Sequence, residues 1–264
     1  MDALALQQRY DFATALAAEA GTLALGYFRN LGALTVRSKG RQDVVSEADL
    51  NTELLIRQRL KERFPEDAFL GEETGRDELP SAACLWVVDP IDGTQPFVSG
   101  MSSWCVSIAL MVNGELEMGF VNVPVRQEAF AGRRGAAATL NGQPIRVREE
   151  ARIDNGVVGL GYSPRVKPEQ FLGPAGRLIA SGGTFYREGS GALSLCYVAC
   201  GRLIGYAEAH INSWDCLGAL AVIEAAGGQR SDFLANDGLW QGNWLVTAPP
   251  GLYPELLAIF KGPA

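Results

Sequence analysis

The stretch WVVDPIDGTQPFVSG, residues 86–100, constrains the fold more than any other part of the chain. An apolar run, Trp86-Val87-Val88, stops at Asp89, and a second carboxylate, Asp92, follows across Pro90-Ile91. Gly93 lets the backbone turn after Asp92, and Pro96 suits a first helical turn, where its missing N–H leaves no bond unmade. The pattern predicts a strand ending at Asp89, a turn, and a short helix starting near Thr94 to Pro96. Amides at a helix start favour a phosphate, whereas two neighbouring carboxylates favour a divalent cation. Both preferences are met only where metal and phosphate share one site, and hard carboxylate oxygens select Mg²⁺ or Mn²⁺.

The rest of the chain supplies a frame for such a site. Apolar positions from Leu4 to Phe28 recur at helical spacing and predict a long amphipathic opening helix. A polar segment expected to be mobile, Ser38 to Asp43, leads to SEADLNTELLIRQRLKERF, a second helix with Leu50, Leu54, Leu60 and Phe64 expected on one face. Ser46 and Asp49 stand at the first and fourth positions of a capping box, although Asp is not the usual fourth residue. Strands are expected at Cys84–Val88, Trp104–Val112 and Glu117–Val123, the last two joined by Asn113-Gly114, and Asn141-Gly142 marks another tight turn. Beyond Ala151, Ser190–Gly201 reads as a buried helix, Leu203–Ala209 as a strand and Cys216–Gly228 as a helix ended by glycines. Without an internal repeat or a Pro/Ser-rich linker, residues 1–264 are expected to form one catalytic domain with two closely packed halves, about 1–150 and 151–264.

Composition excludes several function classes. A net charge of −7 argues against nucleic acid as the main partner and against an anionic membrane. No apolar run reaches the roughly 18 residues of a membrane span, and the N-terminus lacks the layout of a secretory signal, so a cytoplasmic protein is expected. The five cysteines, an odd set without CxxC spacing, read as small core residues rather than zinc ligands or disulfides. One histidine, His210, and no G-x-S-x-G elbow leave no Ser-His-Asp triad; His210 is expected in a loop near the substrate mouth.

Two further acidic features are candidates for the same site. FLGEETG places Glu72 and Glu73 in a glycine-flanked loop after a helix, and NSWDCLGAL places Asp215 at a helix start, where an acid is commonly only a cap.

Taken together, GEETG, WVVDPIDGTQPFVSG and SWDCLGALAVIEAAGG, with DVVSEAD before them and GSGALSLCYVACGRLIGYAEAHINSWD late in the chain, resemble the inositol monophosphatase family of metal-dependent, lithium-sensitive sugar phosphatases. The resemblance covers nearly the whole chain. It implies a mixed α/β fold, a layered αβαβα sandwich, and a hydrolase that acts on a small phosphorylated substrate with two to three Mg²⁺ ions, Mn²⁺ being an alternative. It assigns the metals to Glu72, Asp89, Asp92 and Asp215 with the backbone carbonyl of Ile91; Asp89 bridges two ions, and a third sits near Glu72. Thr94, supported by Asp49, orients or deprotonates the attacking water, and the amides of Gly93 and Thr94 hold the phosphate. Glu73 is a less secure ligand, Glu208 is placed to bond a ring hydroxyl of the substrate, and a homodimer is implied.

Gln95-Pro96 and Asn212 depart from the inositol-hydrolysing pattern. They leave the metal set alone and bear on the alcohol. Inositol 1-phosphate is the expected substrate; histidinol phosphate, 3′-phosphoadenosine nucleotides and fructose 1,6-bisphosphate are the alternatives. A purely regulatory protein on the same fold would be marked by loss of a metal ligand, and all four carboxylates are present.

Overall fold

The computed structural model describes residues 1–40, 43–77 and 83–262. The helices are α1 (Ala3–Phe28), α2 (Glu47–Arg63), α3 (Thr94–Val98), α4 (Glu169–Ala180), α5 (Gly191–Ala199), α6 (Ser213–Ala225), α7 (Gly238–Gln241) and α8 (Tyr253–Lys261). A small antiparallel pair, β1 (Val36–Gly40) and β2 (Asp43–Ser46), precedes α2. The segment expected to be mobile, Ser38 to Asp43, instead lies within these strands at residues 38–40 and 43, while Arg41 and Gln42 lie outside the described residues.

The next strands are β3 (Ala68–Gly71), β4 (Gly75–Arg76), β5 (Cys84–Asp92), β6 (Cys105–Val112), β7 (Glu115–Val123), β8 (Glu128–Arg133), β9 (Thr139–Leu140) and β10 (Gln143–Pro144). They form a sheet in the order β10-β9-β8-β7-β6-β5-β3-β4. Both Asn-Gly pairs make the turns expected of them. Asn113 and Gly114 have φ of 52° and 82° between Val112 and Glu115, and Asn141 and Gly142 have 51° and 75° between Leu140 and Gln143. A second sheet, ordered β12-β11-β13-β15-β14, contains β11 (Val157–Leu160), β12 (Thr184–Tyr186), β13 (Gly205–Ile211), β14 (Gln229–Arg230) and β15 (Asn243–Ala248).

Apolar burial stacks these elements into the expected αβαβα layers. α1 and α2 cover one face of the first sheet through Ala13, Leu16, Ile56, Trp86 and Phe120. α5 and α6 fill the space between the sheets through Leu193, Leu217, Leu220 and Val222, and α4 and α8 close the outer face of the second sheet through Leu178, Val246 and Leu256. Each fully buried Leu, Val or Phe side chain contributes about 1.5–3 kcal/mol relative to exposure. A close approach between two layers depends on glycine. A β-carbon built on Gly119 of β7 would lie 2.0 Å from the carbonyl oxygen of Gly218 in α6, so the helix rests directly on the strand backbone.

Two local expectations are corrected. Leu50 and Leu54 do not face the core with Leu60 and Phe64; they are 42% and 45% exposed, and α2 buries Ala48, Asp49, Thr52, Glu53, Ile56 and Leu60 instead. The apolar count missed this because the inward stripe carries polar residues held by loops. Likewise, β5 does not end at Asp89. It runs to Asp92, with its register against β6 shifting between Asp89 and Asp92, where Pro90 removes a ladder donor.

Candidate metal and phosphate site

Three chain segments deliver the four acidic residues to one place. Glu72 follows β3, not a helix, so it leaves the sheet beside β5, with which β3 pairs in parallel. Asp89 and Asp92 come from the irregular end of β5, and Asp215 from the first turn of α6. One carboxylate oxygen from each of Glu72, Asp89 and Asp215 lies within 4.8 Å of the other two. Asp89 is buried, with Oδ1 accepting from the amide of Ile91 at 3.0 Å, and its carboxyl is pushed well above the carboxylate range by burial and by the charges of Glu72, Asp92 and Asp215. Burial also raises the half-buried Asp215, while the amide of Asn212 at 3.1 Å opposes that shift. Asp215 therefore is the cap that its position suggested and also a member of the cluster.

Asp92 is placed differently. Its Oδ2 accepts from Ala192 N at 2.7 Å and, at closer range, from the Ser190 hydroxyl; its Oδ1 accepts from Gly191 N at 3.3 Å. The start of α5 thus cradles this carboxylate, and burial and Asp215 still raise it to about 7 against those donors. Sequence reasoning did not find Ser190 as a partner. Its only signal was a serine before an apolar helical run, and Ser190 is indeed the N-cap of α5, accepting from Leu193 N at 3.2 Å.

Asp49 both caps α2 and contacts Thr94. Its Oδ2 closes the capping box by accepting from Ser46 N at 2.8 Å and Ser46 Oγ at 2.6 Å, and its Oδ1 accepts from Thr94 Oγ1 at 3.0 Å. The Thr94 hydroxyl has a second acceptor, the carbonyl of Ile91, at 3.1 Å. Burial raises Asp49, opposed by the Ser46 and Thr94 donors. Thr94 opens α3 after Gly93, whose φ of 96° is left-handed; a β-carbon there would meet the Ser103 carbonyl at 2.6 Å.

Glu208 lies within β13, buried, and accepts from the Tyr206 hydroxyl at 2.5 Å; burial pushes its carboxyl up to about 8. It borders a cavity of about 50 Å³ together with Gly189, Ser190 and Gly191. His210 is in the same strand rather than a loop, with Nε2 2.9 Å from the Gln241 carbonyl. The five cysteines are free thiols, four of them buried. Among the described residues no helix is long and apolar enough to cross a membrane.

The donor chemistry fits a hard divalent cation. Acidic oxygens converge from separate segments, burial and their mutual repulsion raise the Asp89 carboxyl, and a positive charge among them would relieve that cost.

Comparison with known proteins identifies the family and the fold. The family model for the inositol monophosphatase family matches residues 5–261. The Nus factor SuhB of Haemophilus influenzae is 32% identical over 250 residues, covering 94% of this chain and 93% of that protein. The crystal structure of the extragenic suppressor protein suhB from Bartonella henselae superposes with a TM-score of 0.90 at 28% identity, over 96% of this chain and 98% of the other. The inositol monophosphatase from Anabaena (Nostoc) sp. PCC 7120 does so with a TM-score of 0.81 at 27% identity, over 98% and 97%. This chain belongs to the inositol monophosphatase family, a family of phosphatases.

Proposed function

We propose that this phosphatase is a Mg²⁺-dependent phosphomonoesterase that hydrolyses a small polyol phosphate, with inositol 1-phosphate as its substrate. The observation that carries the reading is the convergence of Glu72, Asp89 and Asp215, with Asp92 beside them on the same strand end. These four carboxylates and the Ile91 carbonyl would hold the ions. The chemistry supplied at these residues by a bound Mg²⁺ would be Lewis-acid activation of water and stabilisation of the leaving alkoxide.

The chain's own residues account for the remaining steps. Thr94 Oγ1 has one proton and two acceptors, Asp49 Oδ1 and the Ile91 carbonyl. With that proton directed to Asp49, the oxygen of Thr94 presents a lone pair to the attacking water, and Asp49, raised by burial, is suited to take up the proton. The amides of Gly93 and Thr94 at the start of α3 receive the phosphate. Glu208 and the cavity beside it receive the alcohol, and a hydroxyl-rich leaving group suits a small polar pocket. Both halves of the chain contribute, so we take residues 1–264 as one catalytic unit, acting as a homodimer.

Phosphate release from inositol 1-phosphate, histidinol phosphate, a 3′-phosphoadenosine nucleotide and fructose 1,6-bisphosphate, each with and without Mg²⁺, tests the reading. The highest kcat/KM is expected for inositol 1-phosphate. A strong preference for another ester overturns the substrate, and Mg²⁺-independent turnover overturns the mechanism. Inhibition by millimolar Li⁺ is expected in the same assay. The Haemophilus relative is named a Nus factor, which is not a hydrolase name. Because all four carboxylates are present in this chain, a role of that kind would accompany hydrolysis rather than replace it.

A further inference from the structure

Glu53 of α2 is completely buried, yet it is neither a core residue nor a member of the carboxylate cluster. Its two oxygens accept from successive backbone amides in the loop that follows β3: Oε2 from Glu73 N at 2.9 Å and Oε1 from Thr74 N at 2.6 Å. The Glu73 amide belongs to the peptide whose carbonyl is that of Glu72, so this bond pins the main chain immediately after the candidate ligand. Gly71, on the other side of Glu72, touches the same carboxylate; a β-carbon there would lie 2.4 Å from Glu53 Cδ. One turn further along α2, Arg57 donates to Thr74 Oγ1 at 2.6 Å and pairs with Asp77. One turn earlier, Asp49 receives the Thr94 hydroxyl. A single stripe at 49, 53 and 57 therefore touches both loops that carry the proposed chemistry.

We infer that Glu53, assisted by Arg57, is a positioning residue that fixes Glu72 for cation binding by clamping the backbone of residues 73 and 74. The inference rests on the proposed role of Glu72 as a metal ligand. The choice of Glu over its isostere follows from hydrogen-bond polarity. Two neighbouring N–H donors need two acceptors, and an ionised carboxylate supplies both with charge-assisted bonds. Glutamine keeps the volume but turns an NH₂ against one of the amides.

The experiment is a calorimetric titration of Mn²⁺ into the metal-free full-length protein, wild type and Glu53→Gln, paired with the Mg²⁺ dependence of turnover. Outer partners that orient metal ligands typically change affinity about 10- to 100-fold, and a rise of that size in the Mn²⁺ Kd is expected. The Mg²⁺ concentration for half-maximal rate should rise in parallel, while kcat at saturating Mg²⁺ stays near wild type. Ile56→Val, a buried change on the same helix, serves as the structural control and should lower Tm without moving the Kd. Thr74→Val, which removes one Arg57 bond, should shift the Kd in the same direction by less, and it carries the test should Glu53→Gln fail to fold. Wild-type affinity in a folded Glu53→Gln, or in Thr74→Val where that variant alone folds, overturns the inference. Failure of the wild-type protein to bind Mn²⁺ overturns instead the proposed function.

Discussion

Asp92 accepts a hydrogen bond from the backbone amide of Ala192, 100 positions further along the chain, at 2.7 Å. This bond, with those from Ser190 and Gly191, couples the end of β5 to the start of α5. Asp92→Asn preserves one acceptor for α5 but removes the negative charge from the proposed second metal position. We expect a folded protein whose hydrolysis falls by more than about 100-fold, since even outer partners of metal ligands cost about 10- to 100-fold. Circular dichroism beside a phosphate-release assay checks this, and near wild-type turnover would contradict the metal assignment.

Repulsion inside the cluster gives a prediction of opposite sign for stability. The Asp89 carboxyl is raised first by burial and further by three neighbouring carboxylates. Asp89→Asn should therefore raise the Tm of the metal-free protein and abolish the further rise that Mg²⁺ produces in the wild type. Thermal unfolding in EDTA and in Mg²⁺ reads both effects. A lower Tm in EDTA would show that the cost of a buried, repelled charge does not dominate at this position.

Thr94→Val keeps the shape and removes the hydroxyl between Asp49 and the Ile91 carbonyl. Loss of a general-base path typically costs about 10²- to 10⁴-fold, and kcat should fall within that range. KM and the Mg²⁺-induced rise in Tm should stay as in the wild type, because no proposed metal ligand is altered. A change confined to KM would place Thr94 in binding instead.

The carboxyl of Glu208 is shifted from 4.5 to about 8, chiefly by burial. Folding favours its protonated form, so the cost of ionising it in place is absent below pH 4.5, grows as the pH rises towards 8 and is complete above that. At about 1.4 kcal/mol per unit, this amounts to several kcal/mol. Glu208→Gln should flatten the decline in metal-free stability across this window and raise the urea midpoint at its alkaline end. Parallel pH profiles for the two proteins would remove Glu208 as the source.

Gly93 occupies a left-handed conformation with no room for a side chain. Gly93→Ala should cost about 1–3 kcal/mol in backbone strain, with added loss from the contact to the Ser103 carbonyl. A shift in the urea midpoint measures the first effect. Turnover measured below the unfolding transition should fall as well, because the same residue aims the amides at the start of α3.

Much of this architecture is legible in the chain. The two Asn-Gly turns, the opening helix and the buried α5 and α6 follow from local chemistry, whereas the acidic residues are drawn into one set by the family resemblance of their motifs. What escaped reading was polar and nonlocal. On α2 the leucines drew the apolar face towards Leu50 and Leu54, because Glu53 does not look like an inward residue until a loop twenty positions away offers it two amides. The cradle of Asp92 was hidden for a similar reason. Ser190 announced only a helix cap, and nothing local indicates that a carboxylate from the other half of the chain would share it. The extension of β5 to Asp92 depended on its pairing with β6, which tolerates Pro90 through an irregular register.

The contact of Gly119 with the Gly218 carbonyl sets how deep α6 sits, and α6 carries Asp215 at its first turn. Even one methyl group at Gly119 would act as a shim under a lever whose working end is a charged tip. Lesions in this chemically inert stretch of packing should thus surface at the bench as weakened cation dependence, indistinguishable by assay alone from damage to the catalytic groups themselves.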